Sequence, residues 1–205
     1  MAVAASGVAA EKTGRARQKY NRASRLAAAC GRCWREATGD QAPHLGALSA
    51  AGPTAFAALG KVLQARGAEG FSPSELVDRA DQFYAESEEI VPAAVEALQR
   101  SDFQRFGQLA DRSQHLAEKL LKNQVPETAY LARSARELGA TAASAFGAGF
   151  GGAVWALVES GTAQAFLAEW EQAYCRTFPA LEERCFFLTR PGPAAFELSP
   201  GAGTQ

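Results

Sequence analysis

The stretch 144-SAFGAGFGGAVWAL-157 places four glycines within the six positions Gly147 to Gly152 and then turns into apolar residues. A loop so bare accepts positive φ and lets neighbouring backbone come where side chains would stand in the way. Its flanks fix its setting. TAASAF reads as a short strand and AVWALVE as a firmer one, so the glycines link two strands. Gly147, Gly149 and Gly152 also spell G-x-G-x-x-G, the dinucleotide-binding spacing. That motif needs a helix directly after it to receive the pyrophosphate, and an acidic residue about 20 positions on. Val154, Trp155 and Val158 favour a strand instead, and no acidic residue closes a strand at that distance, which argues against the dinucleotide reading. No Gly-Lys-Ser/Thr follows, so the Walker-type phosphate loop is excluded as well. Two roles remain for the glycines. They donate backbone N–H groups to an anion or pack against another phosphate-binding element, or they form a tight hairpin with close strand packing.

The rest of the chain is soluble in character. Its 205 residues, 47% hydrophobic, suffice for one domain or one domain with an appendage. A net charge of −1 gives no electrostatic case for nucleic acid or for an anionic membrane. No apolar run reaches the roughly 18 residues that a membrane-spanning helix requires. MAVAASGVAA lacks the basic start and leucine-rich segment of a secretory signal. Arg15 to Arg35, rich in Arg, Ala and Ser, reads either as an organelle transit segment or as the solvated face of a long helix.

Cys30 and Cys33 form a CxxC, yet they lie inside a predicted helix and not at its start, where a redox thiol needs its pKa lowered. Cys175 and Cys185 stand ten apart and do not supply the second close pair of a zinc site. We therefore expect buried, reduced thiols, and with them a cytoplasmic or organellar setting. His44 and His115 are the only histidines and are expected at the surface or as caps. Glu86, Glu88 and Glu89 form either a cation-binding cluster or a solvated helix face.

The periodicity is mostly helical. A strand at Ala2 to Ala9 precedes a helix from about Thr13 to Thr38, a loop marked by Gly39, Asp40 and Pro43, and a helix from Pro53 to Arg66. Ser72, Pro73 and Glu75 make a capping box that opens a long amphipathic helix kinked at Pro92. A helix restarting at Ser101 to Phe103 carries Phe106, Leu109, Leu116, Leu120 and Leu121, and another runs from Glu127 to Leu138. Gly161 to Phe178 returns to helix with Phe166, Leu167, Trp170 and Tyr174 on one face. CFFLTR is a last clear strand, and RPGPAAFEL adds a turn and a short edge strand. Helices on one face of a small, mainly antiparallel sheet make an α+β fold.

GAGFGG before a hydrophobic strand resembles the third conserved motif of the GHMP kinases, the superfamily of galactokinase, homoserine kinase and mevalonate kinase. SDFQRFGQL, QVPETAYL and TRPGPAAFEL resemble further segments of the galactokinase-like branch, in family order from about Glu86 to Leu198. QKYNRAS resembles that branch's E-Y-N-x-R helix start, with Tyr20 where the family has a sugar-touching tyrosine. Two positions depart from the pattern: Ser144 and Phe146 stand where galactokinases carry Arg and Thr.

The resemblance implies a ferredoxin-like C-terminal domain at 41–205, preceded at 1–40 by a remnant of the N-terminal kinase domain. It implies that Gly147, Ala148, Gly149, Phe150, Gly151 and Gly152 form an ATP and substrate loop, with Tyr20 at the sugar. The family reaction moves the γ-phosphoryl group of ATP to a monosaccharide hydroxyl with Mg²⁺. The family's P-x-G-x-G-L-S-S-S phosphate cradle, its catalytic Asp and its metal-holding serine have no counterpart here, so no catalytic residue and no metal ligand is assigned. The expectation is the C-terminal portion of a cytoplasmic sugar kinase, inactive alone and completed by a separate N-terminal half. The alternative is a non-catalytic sugar-sensing or regulatory protein derived from that family.

Overall fold

The computed structural model describes residues 1–10 and 17–193. The expected helix start at Thr13 and the edge strand expected in RPGPAAFEL lie wholly or largely outside those residues.

Among the described residues four strands, β1 (Ala2–Ser6), β2 (Ala142–Ala145), β3 (Ala153–Leu157) and β4 (Arg184–Leu188), form one antiparallel sheet in the order β2-β3-β1-β4. Helices α1 (Arg17–Thr38), α2 (Leu45–Ala50), α3 (Pro53–Ala65), α4 (Pro73–Tyr84), α5 (Val91–Gln99), α6 (Phe103–Leu116) and α7 (Pro126–Glu137) intervene between β1 and β2. Helix α8 (Ala163–Thr177) links β3 to β4. This is the βαββαβ order of a ferredoxin-like sheet, with the first crossover expanded into seven helices among the described residues.

Period 2 in the strands and period 3.6 in the helices bring one core together. Ala2 and Ala4 of β1 lie opposite Ala156 and Val154 of β3 and share a face with them. Against that face stand Leu131, Ala132 and Ala135 of α7 and Phe166, Trp170 and Tyr174 of α8. The small alanines let the helices approach closely, and the large aromatics fill the space that results. Trp170 is fully buried and satisfies its indole N–H on the Leu131 carbonyl at 3.1 Å. On the other face Phe106 of α6 meets Trp155 with ring centres 6.1 Å apart, while Phe187 stays 46% exposed.

A second core joins α1, α2, α3 and α4 through Cys30, Trp34, Leu48, Leu59, Leu63 and Leu76. Residues of the 1–40 stretch contribute to both the sheet and the second core. Their strand is interior to the sheet, and their helix is one wall of the second core.

Local chemistry explains the element ends. Ser72 Oγ accepts the Glu75 N–H at 3.3 Å and Glu75 accepts the Ser72 N–H at 2.9 Å, which is the expected capping box. The kink expected at Pro92 takes the form of a π-turn over Ala85–Ile90, in which the Val91 N–H reaches back to the Glu86 carbonyl. Pro92 has no N–H and its ring crowds the carbonyl four residues back. The wider turn just before it lets the helix continue. The strand expected at Ala2 to Ala9 stops at Ser6, where Gly7 takes φ 80°. The short helix α2 was not expected, and His44 caps it through Nδ1 on the Ala47 N–H at 3.2 Å.

Candidate functional site

The six-residue hairpin Gly147 to Gly152 connects β2 to β3, as the sequence implied. Gly147, Gly149, Gly151 and Gly152 all have positive φ, and Phe150 joins them at 62°. Glycine is required most strictly at Gly149 and Gly151. A Cβ on Gly149 would fall inside the van der Waals envelope of the Asn123 carbonyl, and one on Gly151 would lie 2.6 Å from the Val8 carbonyl.

Three elements pin this hairpin. Helix α6 runs into a second π-turn, Ala117–Leu121, that ends on Lys122 in the left-handed region, and Asn123 follows directly. Asn123 is buried, accepts the Phe150 N–H on its carbonyl at 2.5 Å and donates its side-chain amide to the Ala148 carbonyl at 3.1 Å. The end of β1 is the second anchor. The Ser6 N–H and hydroxyl both donate to the Gly152 carbonyl, at 2.9 and 2.7 Å, and the Gly152 N–H donates to Val8 at 2.8 Å. Tyr174 of α8 locks that end from beneath by donating its hydroxyl to the Ser6 carbonyl at 2.6 Å.

Tyr20 of α1 is the third anchor. Its hydroxyl donates to the Gly149 carbonyl at 2.9 Å, and its ring meets Phe150 edge-on at 5.1 Å. The structure thus brings Tyr20 and the glycine loop together.

The loop's carbonyls at Ala148, Gly149 and Gly152 are occupied by these bonds, as are its N–H groups at Phe150 and Gly152. The N–H groups of Gly147, Ala148, Gly149 and Gly151 have no acceptor among the described residues. Gly147 and Ala148 are exposed. Successive free N–H groups at Gly147, Ala148 and Gly149, with positive φ at both glycines, suit an anion's oxygens. None of the hairpin's bonds to the rest of the chain involves a carboxylate, and among the described residues no group of three or more His, Cys, Asp or Glu is placed to hold a metal ion.

The remaining candidates are dispersed. Glu86, Glu88 and Glu89 point to different partners, Ser113, Ser49 and Arg112. Cys30 and Cys33 are buried, and burial pushes the Cys30 thiol up to about 11, away from reactive thiolate. Ser144 donates to Gln114 at 3.1 Å and Phe146 is 45% exposed beside the loop. Sequence reasoning missed Asn123, Ser6 and Val8. Ser6 and Val8 lie in the stretch read as a strand from Ala2 to Ala9, but a lone Asn in LLKNQVPE belongs to no recognisable spacing.

Comparison with known proteins places these observations. The family described as GHMP kinases C terminal matches residues 94–176. A galactokinase of Thermococcus kodakarensis is 32% identical over 103 residues, which are 50% of this chain and 29% of that protein. The crystal structure of Lactococcus lactis galactokinase complexed with galactose matches with a TM-score of 0.69 at 22% identity, over 91% of this chain and 43% of that one. The latter is a likeness of fold. The chain thus spans less than a third of the curated relative and less than half of the solved one.

Proposed function

Taking the chain as one that carries a GHMP kinase C-terminal domain, we propose that it forms one wall of the active site of a galactokinase-like sugar kinase. The observation that carries this reading is the pinned glycine hairpin, which holds its Ala148, Gly149 and Gly152 carbonyls within the protein and leaves the N–H groups of Gly147, Ala148, Gly149 and Gly151 without an acceptor among the described residues.

The reaction is attack by a sugar hydroxyl oxygen on the γ-phosphorus of ATP, with cleavage of its bond to the β–γ bridging oxygen and release of ADP. Such transfer depends on positioning and on stabilising charge at the phosphoryl oxygens. The hairpin contributes donors held in place before substrate arrives, so no loop ordering is required at the moment of reaction. Tyr20 ties the sugar side to the phosphate side by bonding the loop at Gly149. The base that takes the hydroxyl proton and the ligands of Mg²⁺ are assigned to the family's N-terminal domain, because the hairpin presents N–H donors and no carboxylate. With four free cysteines, the protein works in a reducing, cytoplasmic setting.

The chain by itself is therefore inactive or nearly so. The test is ADP release from ATP and galactose by residues 1–205, alone and joined to the N-terminal domain of a galactokinase. Turnover only in the joined protein, lost in its Gly149→Val variant, supports the reading. Turnover by 1–205 alone overturns its inactivity, and a joined protein that folds but ignores Gly149→Val overturns the role of the hairpin.

A further inference from the structure

Beside Phe150 an open pocket of about 270 Å³ lies between α1, the start of α4 and the Leu120 to Val125 segment. Its composition is divided. Leu26, Leu120, Leu121 and Val125 give apolar walls, while Lys19, Arg22 and Lys122 bring three cations against the single carboxylate of Glu75.

The cations are not equally committed. Arg22 is held by Glu75 and stacks over the Phe71 ring at 4.7 Å. Lys122 meets Asp78 at 3.1 Å in a pair whose lysine is 62% exposed, and such a pair has little net worth and yields readily to a stronger anion. Lys19 has no carboxylate within ion-pair distance among the described residues and lies 5.7 Å from the centre of the Phe150 ring. A ligand that satisfies this lining has a doubly charged head for Lys19 and Lys122 and an apolar or aromatic body for the walls and the Phe150 ring.

We propose that this pocket binds a small phosphomonoester with an apolar or aromatic body, and that the glycine hairpin senses its occupancy through Phe150. Two features make Phe150 the link. Its side chain lines the pocket, and its own N–H is bonded to Asn123, the residue that anchors the hairpin. Lys122 adjoins Asn123 in sequence, so a ligand drawing on Lys122 acts on the same anchor from its other side.

The test titrates phenyl phosphate into the 205-residue chain, with phenol and inorganic phosphate as controls, by calorimetry and by ¹⁵N–¹H NMR. It uses neither ATP nor sugar, so its failure is distinct from failure of the kinase reading. The expected result is saturable binding of phenyl phosphate, at least about tenfold tighter than either control and about tenfold weaker in Lys19→Gln and in Lys122→Gln. Gln18→Ala, which lies outside the pocket lining, binds as the parent does. The amide signals of Gly149 to Gly152 shift with occupancy, and the same spectra verify that each variant is folded. Absence of saturation up to about 10 mM, equal binding of phenol, or unchanged affinity in both lysine variants overturns the site. Binding that leaves Gly149 to Gly152 unmoved overturns the coupling.

Discussion

The two halves of the glycine hairpin solve opposite problems. Gly149 and Gly151 are buried and face backbone carbonyls of Asn123 and Val8 at distances that leave no room for a Cβ. Gly147 is exposed, has nothing within 4 Å of where its Cβ would be, and carries one of the free N–H groups. One half anchors the hairpin and the other half presents it. The difference teaches that a run of glycines need not be a flexible run. Here the small residues allow a close backbone fit, and the fit makes the exposed donors stationary.

Substitutions that separate the halves test this contrast. The largest effect belongs to Gly149→Val, which adds a clash with the Asn123 carbonyl to the strain of a branched side chain at φ 83°. Overpacking and left-handed backbone together should cost roughly 3 kcal/mol or more in urea unfolding. Gly147→Ala adds strain alone at φ 65° and should cost about 1 kcal/mol. Equal losses at the two positions would erase the distinction between anchor and platform.

Tyr174→Phe comes next, removing the hydroxyl that holds the Ser6 carbonyl, for a loss of about 1–2 kcal/mol. Its pH dependence sharpens the result. Burial, aided by Glu127, raises the pKa of Tyr174 above the ordinary value of 10.0. Below that value the tyrosine is protonated in both folded and unfolded chains, and its contribution is complete. As the pH rises past about 10, the unfolded chain releases the proton that the folded chain still holds, so stability falls. The parent should lose stability in that alkaline window more steeply than Tyr174→Phe. Parallel curves would mean that Tyr174 does not hold the anchor in the way its hydrogen bond implies.

Tyr20→Phe should cost about 1 kcal/mol and move the NMR signals of Gly149 and Phe150, because the lost bond ends on the hairpin itself. Ser144→Ala should be smallest, under about 0.5 kcal/mol. Gln114 keeps its bond from the Ala145 N–H at 3.0 Å when the serine hydroxyl is gone. A larger loss there than at Tyr20 would shift the anchor from the hairpin to the strand beside it.

What the sequence revealed follows from how local each cause is. The Ser72 and Glu75 cap, the hairpin between TAASAF and AVWALVE, and the buried face of α8 each arise from residues a few positions apart. Their spacing is the cause and can be read directly. The π-turn before Pro92 was legible only as a disturbance, because the rule that Pro92 imposes says where the helix cannot be regular and not how it adapts. The interior place of β1 was not legible at all, since AVAAS has the same alternation at an edge as at a centre. The site divides in the same way. Its glycines are visible because only glycine meets their backbone requirement, whereas Asn123 acts through its position at the end of a π-turn that no motif announces.

The interior place of β1 also sets an order of events during synthesis. Its two neighbours, β3 and β4, are made about 150 and 180 residues later. At about 5–20 residues per second, the strand waits on the order of 10–30 s for a partner. The residues of the α1 to α4 core, complete by Ala80, emerge well within that interval and can fold before the strand has a partner. AVAAS offers mostly methyl groups to its surroundings and little of the branched surface that draws strands of different chains together. The alanines that let α7 and α8 seat closely on the finished sheet thus also keep its first strand quiet until the last one arrives.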